Sequence, residues 1–132
     1  SYSTAVLSGN MLYLSGTGGV DTGKQPVFGK LGGDITIKQG YSSARGAVLN
    51  FLSTIKAKLG DLDRVEQIVK LLGFINCTLD FYRHPEVING ASDLLIEVFG
   101  KERGLHARSA VGVYSLPFNI PVEIEMIVKV RP

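Results

Sequence analysis

The stretch that most constrains the fold lies near the C-terminus, where two apolar segments rich in β-branched residues flank a connection containing proline and asparagine. The segments span 106–113 and 122–130, and their composition predicts two β-strands joined as a closing hairpin. Arg108 lies in the first strand and Glu123 in the second, each among apolar neighbours. A charge in such a setting is usually paired, at a sheet edge or in a site, so these two residues are the first candidates for function.

The alternation of side chains along a strand predicts how these charges are arranged. If Val113 pairs with Val122, Glu123 lies opposite Gly112 and shares one sheet face with Arg108. The two charged residues would then be about four residues apart along the hairpin, roughly 13 Å at ~3.3 Å per residue. Either both long side chains converge on one ligand, or a neighbouring subunit completes the site.

The first half of the chain opens with another hairpin signal. Apolar runs at 5–7 and 11–14 flank Gly9 and Asn10, which suit a tight turn. A glycine-rich segment, 16–25, follows, and its residues from Gly18 to Lys24 fit the first seven positions of a phosphate-binding loop.

Three residues argue against a nucleotide site in this segment. Gln25 stands where a phosphate-binding loop has Ser or Thr, and Pro26 follows where a helix should begin. Asp21 replaces the last glycine of a dinucleotide-binding pattern. The simpler interpretation is a flexible connection at the end of the hairpin.

Two segments have the apolar spacing of amphipathic helices. The first runs from about 39 to 59 and ends at Gly60, and the second begins at Pro85 and ends at Gly100. Between them, residues 65–75 fit helix and strand in part, and their β-branched content favours a strand.

The predicted order is therefore β-β-α-β-α-β-β in a single domain, 1–132. This order indicates an α+β sandwich in which two helices cover one face of a mixed sheet. The other face must be covered too, and a partner subunit is the natural cover. A hydrophobic content of 45% with 20% charged residues raises the odds of such an interface.

Composition excludes several classes of protein. The single cysteine, Cys77, cannot form an internal disulfide and fits a reducing compartment, which predicts a cytoplasmic protein. Cys77 and the two histidines match no zinc spacing, and nothing indicates a metal or other cofactor. No segment has the length of a membrane span or the pattern of a signal peptide. The net charge of +2 is spread along the chain, so a nucleic-acid partner is not indicated.

Several motifs resemble those of the RidA family, also called the YjgF or endoribonuclease L-PSP family. They are the opening strand motif at 10–16, the Ala-Arg-Ser sequence at 107–109 and the final strand motif at 120–125. The helix sequence at 87–95 is more similar to a divergent branch of that family described as chorismate mutase-like. The resemblance covers almost the whole chain.

The resemblance implies a chorismate mutase-like fold and a homotrimer whose sheets meet in a central barrel, with ligand clefts between subunits. It also implies hydrolysis of reactive enamines and imines to keto acids and ammonia, with a small carboxylate metabolite as the ligand. Arg108 would bind the carboxylate and Glu123 would handle the water or proton. The backbone at Gly16, the Asn89 amide and the Tyr2 ring would line the cleft.

The chain departs from archetypal members at three positions beside these residues. Ala110 stands where they have cysteine, Thr17 where they often have glutamine, and His106 where they usually have proline. Since Ala110 and Thr17 would line the ligand cleft, the substrate and the deaminase activity itself stay open.

Other roles for the candidate residues remain open as well. Arg108 could form a structural ion pair with Glu125 or Asp93, and Glu125 could pair across a subunit interface. His106 could move protons or simply lie at the surface, and Asn89 could cap local backbone. Cys77 has no basic residue beside it in the sequence, which favours an unreactive thiol.

The sequence supports three functions to different degrees. Imine or enamine hydrolysis leads, followed by a non-catalytic trimer that binds or senses a small carboxylate metabolite. An endoribonuclease or translation inhibitor is less favoured, because basic and aromatic residues are not clustered.

Overall fold

A computed structural model describes residues 1–20 and 23–132 as five strands and two helices. These are β1 (Ala5–Ser8), β2 (Met11–Thr17), α1 (Ile37–Leu59), β3 (Val65–Asn76), α2 (His84–Gly104), β4 (Ala107–Val113) and β5 (Val122–Val130). The predicted element order and the α+β class are confirmed. Asp21, which argued against a dinucleotide site, lies outside the described residues.

Helix α1 begins and ends through local hydrogen bonds. The Thr36 hydroxyl accepts from the Gln39 N–H at 3.1 Å, and the Gln39 side chain accepts from the Thr36 N–H at 2.9 Å. This reciprocal pair satisfies backbone groups that the first turn leaves unpaired. At the other end Gly60 adopts a φ of 88° and donates to Lys56, which confirms the predicted stop.

Helix α2 extends beyond its predicted end. Gly100 has a φ of 83° and leaves the helical conformation, but the chain resumes a helical turn to Gly104. The two helices approach closely, because a Cβ added to Gly90 would be 2.0 Å from the Tyr41 carbonyl oxygen. Only glycine allows this separation, so α1 and α2 form one compact layer.

The sheet has the strand order β1-β2-β5-β3-β4 and is mixed, as predicted. Strand β3 is parallel to β4 and antiparallel to β5, so it lies between them. The predicted closing hairpin is therefore wrong. Val113 lies level with Asn76 of β3, and Val122 lies level with Ile75, so Val113 and Val122 do not pair.

The length of β3 explains this arrangement. β3 spans 12 residues and hydrogen-bonds along both edges, which satisfies more backbone groups than a separate two-stranded hairpin would. β4 reaches its parallel position through the α2 crossover, the kind of connection that parallel strands require.

The two faces of the sheet differ in burial. Alternate residues of β5, from Val122 to Val130, are buried against the helix layer, and α1 and α2 both pack on this face. On the opposite, open face, Val6, Tyr13 and Val111 are exposed. The prediction that both helices cover one face and leave the other open is confirmed. None of the helices in the described ranges is long and apolar enough to cross a membrane.

Candidate functional site

Arg108 lies on the edge strand β4 and its side chain crosses to helix α2. The guanidinium donates to the Ser92 hydroxyl oxygen at 3.0 Å and to the Pro85 carbonyl oxygen at 3.4 Å. Both acceptors are neutral, and no carboxylate of the described residues forms an ion pair with Arg108. A guanidinium carries five N–H donors, so this one keeps enough for the two parallel bonds that a carboxylate accepts.

The structural ion pairs considered for Arg108 are not formed. Asp93 instead accepts a hydrogen bond from the Tyr41 hydroxyl at 2.6 Å, and this bond to a carboxylate raises the pKa of Tyr41. Glu125 is exposed on the open face of the sheet, where it lies level with Leu72. Arg108 therefore has neutral acceptors and no carboxylate partner in the described part of the chain.

His106 extends the hydrogen-bond network behind Arg108. Its Nδ1 lies 2.8 Å from the Gly104 carbonyl oxygen, which can only accept, so Nδ1 carries a proton. In the neutral ring Nε2 is then an acceptor, and it receives the Ser92 hydroxyl proton over 2.8 Å. Ser92 is thus oriented with its oxygen free to accept from Arg108. His106 is hydrogen-bonded and partly buried, not the simple surface residue considered above.

Asn89 lies beside the same guanidinium. Residues 85, 89 and 92 share one face of α2 because they are spaced by four and three positions. Two of these residues, Pro85 and Ser92, are the acceptors of Arg108. The Asn89 side chain is partly exposed and has no hydrogen-bond partner within the described part of the chain. Asn89 is therefore on the face of α2 that supplies the acceptors of Arg108, and its amide is not used by another described residue.

Glu123 occupies a different place. Its carboxylate lies against the backbone of Gly16, since a Cβ added to Gly16 would be 3.1 Å from both Cδ and Oε2 of Glu123. Glu123 is partly buried and has no hydrogen-bond or ion-pair partner among the residues described. Gly16 and Glu123, to which the family resemblance gives separate roles, therefore lie side by side.

Arg108 and Glu123 do not share a face, so that prediction is wrong. Arg108 lies level with Leu71, which is buried under the helices, whereas Glu123 lies level with Phe74 on the open face. The prediction of a shared face depends on a pairing of Val113 with Val122, which the sheet does not contain. Because β3 lies between β4 and β5, the alternation of side chains along the strands places Arg108 and Glu123 on opposite faces of the sheet.

Of the other predicted site residues, Thr17 and Tyr2 lie near Gly16, and Ala110 lies near Arg108. Thr17 follows Gly16, and its hydroxyl donates to the Gly18 carbonyl oxygen at 3.0 Å. Tyr2 is 81% exposed at the same end of β2, where the Ser15 hydroxyl holds the neighbouring Ser3 carbonyl. Ala110 lies two residues beyond Arg108 on the helix-facing side of β4 and packs against the core.

A cleft that sequence reasoning missed opens beyond Ala110. It has a volume of about 420 Å³. Its walls are formed by Lys30, Cys77, Thr78, Leu79, Phe81, Tyr82, His84, Gly112, Val113 and Tyr114. Cys77 Sγ lies 3.7 Å from His84 Nε2, a basic neighbour that is seven residues away in the sequence. The sequence feature that could have indicated this contact is His84, which begins α2 just before Pro85 and whose ring lies against Cys77 at the end of β3.

The cleft is weakly charged. Burial raises the pKa of the Cys77 thiol, with Lys30 acting in the opposite direction, so the thiol is neutral at physiological pH. The Lys30 ammonium donates to Asn76 Oδ1 at 2.8 Å and to the Tyr114 carbonyl oxygen, and it lies 5.0 Å from the centre of the Tyr114 ring. Both acceptors are neutral, as are those of Arg108.

Asn76 organises the loops around this region. It is fully buried, and its amide group donates to the Gly29 and Ile120 carbonyl oxygens at 3.2 Å and to Asn119 Oδ1 at 3.1 Å. One side chain thus ties together the loops that precede α1 and β5, and with Lys30 it completes a buried polar network.

The glycine-rich segment is a packed connection. Asn50 of α1 donates to the Gly18 carbonyl oxygen at 2.6 Å, and a Cβ on Gly19 would be 2.5 Å from the Gly46 carbonyl carbon. These contacts hold Gly18 and Gly19 against the middle of α1, whereas a phosphate-binding loop stands before a helix start; residues 21 and 22 of the candidate loop lie outside the described residues. No three metal-ligating side chains come together in residues 1–20 and 23–132.

Comparison with known proteins gives one consistent result. Residues 1–128 match the family model described as "YjgF/chorismate mutase-like, putative endoribonuclease". The chain is 42% identical to Protein TCP17 of Trypanosoma cruzi over 131 residues, which is 99% of this chain and 82% of that protein.

Two solved structures are similar throughout. Protein Atu1372 of Agrobacterium tumefaciens, described as of unknown function, has a TM-score of 0.93 and 41% identity, with 98% of this chain and 82% of that one covered. A "putative endoribonuclease" of Shewanella oneidensis has a TM-score of 0.91 and 33% identity, with coverages of 98% and 85%.

Proposed function

The chain belongs to the YjgF/chorismate mutase-like family, and from that premise we propose that it hydrolyses reactive imines and enamines of small carboxylic acids. The products are the corresponding keto acids and ammonia. The reaction takes place in clefts between the subunits of a cytoplasmic homotrimer, and no cofactor takes part.

The observation that carries this proposal is the state of Arg108. It is held by Ser92 and Pro85, both neutral, and is left without a counter-ion in the described chain. Neutral acceptors do not neutralise the charge of the guanidinium, so this arrangement contributes little to the stability of the fold. It leaves N–H donors of Arg108 available to bind a carboxylate ligand. Asn89 adds an available amide beside it.

The placement of Glu123 supports a site shared by subunits. Within one chain Glu123 and Arg108 are on opposite sides of the sheet, so one small ligand cannot contact both. The open face that carries Glu123 also carries exposed apolar side chains, which a trimer with a central barrel would cover. Packing of three sheets around a barrel would bring Glu123 of one subunit to Arg108 of the next.

The chemistry follows from the two charges. Arg108 orients the substrate carboxylate and stays charged throughout, so it takes no part in proton transfer. An enamine first accepts a proton from solvent on its β-carbon and releases one from its nitrogen, which gives the imine. The Glu123 carboxylate then takes a proton from the attacking water as the C–O bond forms, and the resulting carboxylic acid returns it to nitrogen. The hydroxyl proton of this carbinolamine then passes through Glu123 to the nitrogen as the C=O bond forms, and cleavage of the C–N bond releases ammonia and leaves the keto acid.

The direct test is product release from unstable substrates generated in place. We expect ammonia and keto acid to appear faster from 2-iminopropanoate and 2-aminoacrylate with the wild-type protein than in buffer, and Arg108→Ala to lose this acceleration. Equal rates with wild-type protein and buffer would rule the deaminase proposal out.

A second function is favoured by one observation. Ala110 places a small inert side chain beside Arg108 where archetypal relatives have cysteine, so an arginine anchor could persist without chemistry. A binding trimer would take up keto acids at Arg108 and accelerate nothing. Titration with keto acids in parallel with the hydrolysis assay separates the two functions.

A further inference from the structure

We propose that His106 is a positioning residue for the carboxylate anchor, and that it acts on Arg108 through the Ser92 hydroxyl. The inference rests on the proposed function, because it takes Arg108 as the group that binds the substrate carboxylate. It adds to that function a residue that lies behind the arginine and determines how tightly an imino or keto acid is bound.

The hydrogen-bond network begins at the last turn of α2. After Gly100 leaves the helical conformation, the chain makes a further helical turn to Gly104. This turn packs closely against the body of the helix, because a Cβ added to Gly104 would be 2.5 Å from the Leu95 carbonyl oxygen. The Gly104 carbonyl oxygen lies 2.8 Å from His106 Nδ1. The turn beyond Gly100 thus supplies a fixed acceptor for the His106 ring.

This acceptor determines the role of the other ring nitrogen. A carbonyl oxygen only accepts, so Nδ1 of His106 is the donor and Nε2 of the neutral ring is an acceptor. The Ser92 hydroxyl lies 2.8 Å from Nε2 and donates its one proton there. Its oxygen then accepts from the Arg108 guanidinium at 3.0 Å. A hydroxyl that donates in this way is also a stronger acceptor, because consecutive hydrogen bonds polarise one another.

Without the His106 ring, the Ser92 hydroxyl would have a competing partner. A serine within a helix can donate to the carbonyl oxygen four residues earlier, which here belongs to Ile88. That bond would draw the hydroxyl back onto its own helix and away from the guanidinium. Of the two acceptors described above, only Pro85, at 3.4 Å, would then hold Arg108. A guanidinium held at one point is less well oriented toward a carboxylate, so ligand affinity should fall.

The backbone around His106 is held independently of its ring. The Gln67 side-chain amide donates to the Leu105 carbonyl oxygen at 2.6 Å and to the Arg103 carbonyl oxygen at 3.2 Å. His106 itself is only partly buried. Loss of the ring therefore leaves this segment attached to β3 and removes the bond to Ser92.

The test measures keto-acid binding by calorimetric titration of the intact protein with pyruvate. His106→Leu should weaken binding by about three- to fivefold, because the Ser92 hydroxyl is no longer directed toward Arg108. His106→Gln offers an amide oxygen to the same proton and should bind within about twofold of wild type. The matched control is Gln67→Leu, which loosens the same segment without touching Ser92 and should bind pyruvate as wild type does.

A double-mutant cycle shows whether His106 acts through Ser92. In a Ser92→Ala background no hydroxyl remains to be oriented, so adding His106→Leu should weaken binding by less than about 1.5-fold more. In the hydrolysis assay the single His106→Leu variant should raise KM and leave kcat nearly unchanged. General loss of structure would not give that split.

The outcomes separate this inference from the function on which it rests. A His106→Leu protein that binds pyruvate as tightly as wild type would overturn the role of His106 and leave the anchor intact. An equal loss in Gln67→Leu, in His106→Gln or on adding His106→Leu to Ser92→Ala would have the same consequence. A wild-type protein that neither binds pyruvate nor hydrolyses 2-iminopropanoate would overturn this inference and the proposed function together.

Discussion

Arg108 and Glu123 lie on opposite faces of the sheet, on strands β4 and β5 that are separated by β3. Arg108 is directed toward helix α2, and Glu123 lies on the open face beside Gly16. If both residues act on one small molecule, two copies of the chain must supply them.

Glu123→Gln should lower kcat by roughly 10²- to 10⁴-fold, because the amide cannot take a proton from water. Keto-acid binding should change little, since Arg108 is untouched. Steady-state kinetics with calorimetric titration would show this split. The matched control is Glu125→Gln, two residues along the same strand and face, and an equal loss in that variant would remove the special role of Glu123.

Gly16→Ala should slow the reaction by about tenfold while the fold is retained. Its methyl carbon would lie 3.1 Å from the Glu123 carboxyl carbon, which is close enough to push a flexible side chain aside. The decisive comparison places Gly16→Ala in a Glu123→Ala background, where no carboxylate remains to be displaced. A further loss there of similar size would show that Gly16 acts by another route.

Ser92→Ala should weaken keto-acid binding by about five- to tenfold, because Arg108 loses the hydroxyl that holds it. The value of kcat at saturating substrate should change less than KM. Ser92→Thr keeps a hydroxyl and should restore most of the affinity. A variant lacking the hydroxyl that binds as well as wild type would show that the Ser92 bond does not position the guanidinium.

Asn76→Ala should destabilise the fold by about 2–4 kcal/mol, since it leaves several buried polar groups without partners. Urea denaturation monitored by circular dichroism measures this free energy of unfolding. Asn50→Ala removes one exposed hydrogen bond to Gly18 and should cost less than about 1 kcal/mol. Comparable losses in both variants would contradict the role given to the buried network.

Local patterns were enough to predict most of the fold. Helical spacing and the glycine at 60 located α1, although its start was placed two residues late because the reciprocal cap of Thr36 and Gln39 was not identified. The order of elements predicted one helix layer and one open sheet face. These features depend on contacts between residues close in sequence and on which side chains are buried. The spacing of apolar residues predicts both.

Strand pairing could not be predicted in the same way. Adjacent strands in sequence often pair, yet β3 is long enough to satisfy β4 and β5 at once, and this outcome depends on the whole sheet. A direct pairing of β4 with β5 predicts that Glu123 shares the face of Arg108, whereas Glu123 lies on the opposite face. The Cys77–His84 cleft was missed for a related reason, because the two residues meet only when α2 folds back over the end of β3.

The most direct test of a shared site is complementation between two inactive variants. Arg108→Ala and Glu123→Gln proteins, each inactive alone, are unfolded together, refolded as mixed oligomers and assayed, with native mass spectrometry to confirm that subunits have mixed. If each cleft takes its arginine from one subunit and its glutamate from another, about a quarter of the clefts regain both residues and activity returns in that proportion. Mixed oligomers that remain inactive would contradict the shared site, since every subunit would then carry a defect in its own complete centre.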